Sequence, residues 1–91
     1  MIPQLGLEEE SIRVTIRNFV VSNFLFGRDG NQLSNEESFI KKGIIDSTGV
    51  LELSTFVEDT YRIKIPDDEL TPDNFDSIER LAQYIRHKCA H

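Results

Sequence analysis

Ser47 and its neighbours are the residues of this chain whose types and spacing could support chemistry. Asp46 directly precedes the serine, and an apolar periodicity of helical type begins at this pair. A serine nucleophile requires a general base within hydrogen-bond reach, but the two histidines, His87 and His91, lie at the far C-terminus. The pattern therefore does not favour a nucleophilic serine enzyme, and the serine taken alone is typical of an ordinary helix cap.

The helix that carries this serine is predicted to run from about Ser47 to Tyr61, with Asp46 as its N-cap. At about 100° per residue its core face holds Val50, Leu53, Phe56, Val57 and Thr60. The opposite face holds Ser47, Thr48, Leu51, Thr55, Glu58 and Asp59. Gly49 lies in the first turn, where glycine costs roughly 0.5–1 kcal/mol relative to alanine, which indicates close approach of a partner or mere tolerance.

A first helix and a long connection are predicted before it. The helix is expected from about Glu8 to Leu25 and to end at Gly27, with apolar positions at Ile12, Ile16, Phe19, Val20 and Phe24. Residues 27–45 form a long loop that starts with a turn at 28–31. We expect a short helical turn near 36–41. The second half of the loop should pack on the core through Phe39, Ile40, Ile44 and Ile45.

The C-terminal third is predicted to hold short elements and one clear helix. Residues 62–65 should be extended, followed by a helical turn at 67–70 and a helix start at Thr71-Pro72. The last helix begins at a capping-box-like Asp76-Ser77-Ile78-Glu79. Its core face holds Ile78, Leu81, Ala82, Ile85 and Cys89. The chain therefore predicts a single all-α domain over 1–91, a small four-helix bundle of three longer helices and one short one, with a long loop between helices 1 and 2.

Composition and charge exclude several classes of function. Sixteen acids oppose ten bases, for a net charge of −6, which disfavours nucleic acid and favours partners with basic surfaces. No apolar run approaches the length of a membrane span, and the N-terminus does not resemble a signal peptide. With Cys89 as the only cysteine, we expect a soluble cytoplasmic protein. We expect a monomer, because no leftover apolar stripe demands a partner helix.

Four segments together resemble the acyl carrier protein family. They are Gly43-Ile44-Ile45-Asp46-Ser47, Glu52-Leu53, Ile63-Lys64-Ile65-Pro66 and Phe75-Asp76-Ser77-Ile78. The resemblance covers about residues 39–87 and implies that the protein is not an enzyme but a carrier of acyl or aminoacyl thioesters. It implies 4'-phosphopantetheine, taken from coenzyme A by a separate phosphopantetheinyl transferase and attached to Ser47, with Asp46 helping the transferase to engage.

The same resemblance implies partners and a docking surface. Acyl ligases, acyltransferases and synthases with basic surfaces would contact the second helix, in fatty acid, polyketide or related specialised biosynthesis. The expected contact residues are Thr48, Leu51, Glu52, Thr55, Glu58 and Asp59. Thr48 and Gly49 depart from the fatty-acid pattern, in which a Leu or Met usually occupies the first of these two positions and an acid usually occupies the second. The Ser-x-Gly form is more similar to discrete carriers of ligases and specialised pathways, including the D-alanyl carrier type.

Other interpretations of the same residues remain open. The acidic second helix could serve a small helical interaction module without a prosthetic group. No metal site is expected: His87, Cys89 and His91 are poorly spaced for one helix face. The segment that begins near Asp29-Gly30-Asn31 does not fit a calcium loop, because in that spacing Gln32 replaces the required glycine and Ser38 replaces the final glutamate.

Overall fold

The computed structural model describes residues 8–25 and 33–89. Within these two segments the chain is helical and contains no strand, so the predicted all-α bundle is confirmed. Three longer helices and a short one follow in chain order: α1 (Glu9–Val20), α2 (Ser47–Tyr61), α3 (Pro72–Phe75) and α4 (Ile78–Cys89). The predicted helix end at Gly27 and the turn at 28–31 lie outside the described residues.

The first helix changes its geometry before it ends. The α-helical part stops at Val20, and a π-helical turn continues over Val21–Leu25. The apolar stripe is as predicted, with Ile12, Ile16 and Val20 buried. A wide turn of this kind reorients the side chains that follow it, and it carries Phe24 towards the start of α2.

The core lies mainly between α1 and α4, which pack along their apolar faces. Leu81 and Ile85 of α4 are fully buried, as are Leu53 and Val57 of α2. Thr60 was predicted on the core face, but it is exposed, and the half-buried Tyr61 takes the inward position at that end of α2.

An ion pair fixes α1 against α4. Arg13 donates from Nε to Glu79 Oε1 at 2.8 Å and from Nη2 to Oε2 at 3.2 Å. This two-point contact places the guanidinium and the carboxylate in a defined geometry. Hydrogen bonds from Arg13 and then from Gln83 lower the pKa of the Glu79 carboxyl below its ordinary value of 4.5.

The start of α4 differs from the predicted capping box. Ser77 Oγ accepts a hydrogen bond from the Arg80 N–H at 3.0 Å, so Ser77 caps the helix. Glu79 does not complete a box, because its carboxylate binds Arg13. The reciprocal bond needs a Glu or Gln three residues after the cap, and Arg80 occupies that position.

The segment before α2 is a series of turns tied to Asp76. A helical turn is expected near 36–41; the structure has turns at 35–36 and 39–43, and the Lys42 N–H donates to the Ser38 carbonyl at 3.1 Å, the bond of a single helical turn. The Phe39 N–H donates to the Asp76 carbonyl at 2.8 Å, and the Ile40 N–H donates to Asp76 Oδ1 at 3.0 Å. Ser38 Oγ donates to the other carboxylate oxygen of Asp76. These bonds to a distant residue add to the local backbone bonds of the turn, such as that from the Gly43 N–H to the Ile40 carbonyl at 3.0 Å.

The link between α2 and α3 follows the prediction except at Arg62. α2 ends at Tyr61, and Arg62, which was expected to be extended, adopts the left-handed conformation of a helix C-cap with φ 58°. A single helical turn then forms at Asp67–Glu69. Tyr84 of α4 holds this turn by donating from its hydroxyl to Glu69 Oε1 at 2.6 Å. Pro72 opens α3, although the Thr71 side chain makes no capping hydrogen bond.

Candidate functional site

Ser47 is the first residue of α2, and its side chain is exposed. Asp46 adopts an extended backbone and caps the helix, because its Oδ1 accepts the Gly49 N–H at 2.8 Å. The Asp46 carbonyl accepts the Val50 N–H at 3.0 Å. The predicted cap is therefore confirmed, and it is Asp46, not Ser47, that occupies this structural role. The serine hydroxyl is left available to solvent and to other molecules.

Gly49 is buried in this turn, for a reason that the sequence analysis missed. A Cβ at this position would lie 2.8 Å from Ile45 Cγ2 and 2.9 Å from Phe24 Cε1. Both distances are shorter than normal carbon–carbon contacts, which are about 3.5–4.0 Å. The packing of the chain on itself accounts for glycine at this position, so the expectation of mere tolerance is wrong, and close approach of a partner stays a prediction.

Most of the predicted docking positions lie on one open face of α2. Thr48, Glu52, Thr55 and Asp59 are exposed, as is 57% of Leu51. The Thr55 hydroxyl donates to the Leu51 carbonyl at 3.1 Å, a bond within the helix. This face presents two acids around one large apolar side chain, a combination that suits a basic partner surface with an apolar contact.

Glu58 differs from the other predicted contact residues. Its side chain is half-buried, and Glu58 Oε2 accepts the Ile65 N–H at 2.8 Å. The carboxylate therefore ties the extended link after α2 back onto the helix. Its negative charge still contributes to the potential of this face, but one oxygen is already used by the backbone.

An apolar groove of about 400 Å³ lies beside Ser47. Its walls come from the 38–43 turn, from α2 and from the segment around α3. The lining residues are Phe39, Ile40, Ser47, Val50, Leu51, Leu70, Thr71, Pro72, Phe75 and Asp76.

One wall of this groove contains the exposed side chain that the sequence analysis placed in the core. Ile40 was expected to pack inward with its neighbours, but 52% of it is exposed, whereas Phe39 and Ile45 are buried and Ile44 is half-buried. Asp76 holds the Ile40 backbone in place. The groove joins residues far apart in sequence, so no local signal could have located it. Ile40 and Leu51 give it an apolar rim on two sides.

The arrangement suits attachment of a group better than catalysis. The described histidine, His87, is exposed in the last turn of α4. A helix start leaves backbone N–H groups unpaired and carries a partial positive charge, so a phosphate ester on Ser47 would be favourably placed. The groove could receive a flexible apolar chain that continues from such an ester. The local geometry thus fits a phosphate-linked arm.

Comparisons with known proteins point to one class. The chain is similar to the D-alanyl carrier proteins of Streptococcus pyogenes serotype M5 (strain Manfredo), serotype M49 (strain NZ131) and serotype M1. Each is 31% identical over 74 residues, which cover 79% of this chain and 92% of the relative. No family model matches the chain. None of the described helices has the length and apolar character needed to cross a bilayer.

Proposed function

We propose that this chain, which belongs to the acyl carrier protein family, carries acyl or aminoacyl groups as thioesters on a 4'-phosphopantetheine arm attached to Ser47. The chain is a carrier and not an enzyme. The arm supplies the thiol that forms the thioester. The protein holds the arm, presents it to successive enzymes and raises the local concentration of the bound group at each of them.

The position of Ser47 is the observation that supports this proposal most directly. The residue lies at the start of a helix that Asp46 caps, so its own hydroxyl is not needed for capping. It is exposed, and it lines the apolar groove. An attachment residue needs access for the transferase and space for the arm, and this serine has both.

We assign the open face of α2 to partner recognition. A phosphopantetheinyl transferase would approach Asp46 and Ser47 along this face, and the transferase, ligases and synthases would contact Thr48, Leu51, Glu52, Thr55 and Asp59. Opposite charges on the partner increase association rates and make them sensitive to salt. Contacts of this kind suit a protein that must leave each partner quickly.

Intact mass measurement tests the attachment. The apo protein is incubated with coenzyme A, magnesium and a promiscuous phosphopantetheinyl transferase, and we expect a gain of one 4'-phosphopantetheinyl group. Ser47→Ala should abolish the gain, whereas Ser22→Ala, at another exposed serine, should keep it. The absence of any gain in the wild-type protein, or a gain that persists in Ser47→Ala, would refute the proposal. No gain at all would favour an interaction module without a prosthetic group.

Two classes of cargo are supported by different observations. The names of the relatives indicate an aminoacyl group, since they are D-alanyl carrier proteins. The apolar groove favours an acyl chain of fatty acid or polyketide type. The holo protein can be loaded with D-alanyl or with octanoyl thioester and compared by NMR. Shifts at Ile40, Leu51 and Phe75 with octanoyl alone would assign the groove to acyl cargo. If these shifts are absent with both the D-alanyl and the octanoyl thioester, the groove gives no argument for acyl cargo.

A further inference from the structure

The side chain of Phe24 lies against the turn that presents Ser47. The π-helical turn after α1 carries Phe24, whose Cε1 lies 2.9 Å from the point that a Cβ of residue 49 would occupy, and Ile45 Cγ2 lies 2.8 Å from the same point. Gly49 is buried and is two residues after Ser47 in the same turn of α2. Its N–H also donates to the capping Asp46. The side chains of Phe24, Ile45 and Asp46 thus meet at one glycine.

The ring of Phe24 is itself held in place. It makes an edge contact with Phe19, with ring centroids 6.0 Å apart, and Phe19 stacks on Phe56 of α2 with centroids 4.0 Å apart. Ile45 is buried, and its γ2 methyl group branches from Cβ, so this group has little rotamer freedom. A Cβ at position 49 therefore requires the half-buried Phe24 ring or α2 itself to shift.

We propose that Phe24 and Gly49 are positioning residues for the modification of Ser47: the contact of the ring with the glycine sets where the serine hydroxyl stands at the start of α2. This inference depends on the proposed role of Ser47 as the attachment residue. Displacement of a reacting group by about 1 Å can lower a rate about 100-fold. A methyl group at position 49 therefore acts on the rate of transfer, although it adds nothing to the exposed docking face.

The kinetics of transfer separate this role from a merely structural one. For Gly49→Ala we expect kcat of the phosphopantetheinyl transferase to fall by about tenfold or more, with little change in KM. Simple destabilisation would lower the concentration of folded substrate, which raises the apparent KM and leaves kcat unchanged. Thr60→Ala, at an exposed position of the same helix, should behave as the wild type.

A double variant tests the contact itself. Phe24→Leu removes the ring atom nearest to position 49, so Phe24→Leu/Gly49→Ala should be modified faster than the product of the two single effects predicts. Purely multiplicative effects, an unchanged kcat in folded Gly49→Ala, or a loss confined to KM would each overturn the inference.

A second measurement covers the case in which Gly49→Ala does not fold. In Phe24→Leu alone, the loss of the ring contact with Gly49 should speed amide hydrogen exchange at Gly49 and Val50 relative to the rest of α2. Exchange at these two residues at the wild-type rate would overturn the inference. Exchange does not depend on modification, so the two failures are distinguishable. A wild-type protein that is not modified refutes the proposed function, whereas a modified protein with unchanged variants refutes only the positioning role.

Discussion

The Asp46 carboxylate gives the sharpest test of how the site is built, because a structural role and a recognition role can be separated there. Asp46→Ala removes the acceptor 2.8 Å from the Gly49 N–H and also the negative charge at the helix start. Loss of a capping side chain costs about 1 kcal/mol, within a range of about 0.5–2. Asp46→Asn keeps an acceptor of almost equal capping strength and loses the charge, whose interaction with the helix dipole contributes about 0.3–1 kcal/mol.

The expected order of stability is therefore wild type, Asp46→Asn, then Asp46→Ala. Urea unfolding followed by far-UV circular dichroism measures it. With a slope of about 1–2 kcal/mol per M for a small domain, Asp46→Ala should lower the midpoint by about 0.5–1 M. Asp59→Ala removes an exposed acid of the same helix without removing a cap and should change the midpoint little. Equal midpoints for all variants would refute the capping argument.

The same pair of variants tests recognition. If the transferase requires the negative charge of Asp46, Asp46→Asn will be modified more slowly than the wild type although it remains folded. If the charge has no role, Asp46→Asn will be modified at the wild-type rate, and the contribution of Asp46 will be limited to capping the helix.

Four further predictions follow from other contacts. The lowered pKa of Glu79 stabilises the fold above the ordinary value of 4.5, and this contribution is lost as the pH falls through the folded-state pKa; Glu79→Gln should show a shallower fall in urea midpoint between about pH 5 and about pH 3. Asp76→Ala should lower the free energy of unfolding by about 1–2 kcal/mol and speed amide exchange at the turn it holds; unchanged exchange would contradict this. Burial raises the pKa of the Cys89 thiol, so iodoacetamide at about pH 8 should alkylate it more slowly than free cysteine, and an equal rate would count against its burial. Glu52→Lys should lower kcat/KM for the transferase by several-fold and weaken its salt dependence, whereas the exposed control Glu36→Lys should not; equal effects would make the charge response non-specific.

Local signals predicted α2 better than its surroundings. Its start is encoded at Asp46 by a capping side chain and its extent by the helical spacing of the residues that follow, so the prediction of Ser47–Tyr61 agrees with the structure. Gly49 was misinterpreted because its neighbour Phe24 lies 25 residues earlier in the chain. The capping box failed for a similar reason, since Arg13 of another helix binds Glu79.

The groove shows the same limit for the site. Phe39 and Ile40 are adjacent and similarly apolar, yet Phe39 is buried and Ile40 is exposed. Asp76, which is distant in sequence, fixes the turn that contains both residues. Sequence patterns describe which residues are apolar. They do not describe which of two neighbours a remote hydrogen bond will turn outward.

The acidic residues of α2 do not all tolerate substitution equally, because Glu58 accepts a hydrogen bond from the Ile65 N–H. Reversal of charge at Glu52 or Asp59 changes only what a visiting protein meets, so these sites can drift as enzymes of a pathway are exchanged. Reversal at Glu58 would also strip a backbone amide of its acceptor. Homologues that serve different partner enzymes should therefore vary at Glu52 and Asp59 and should retain a side-chain oxygen acceptor at position 58.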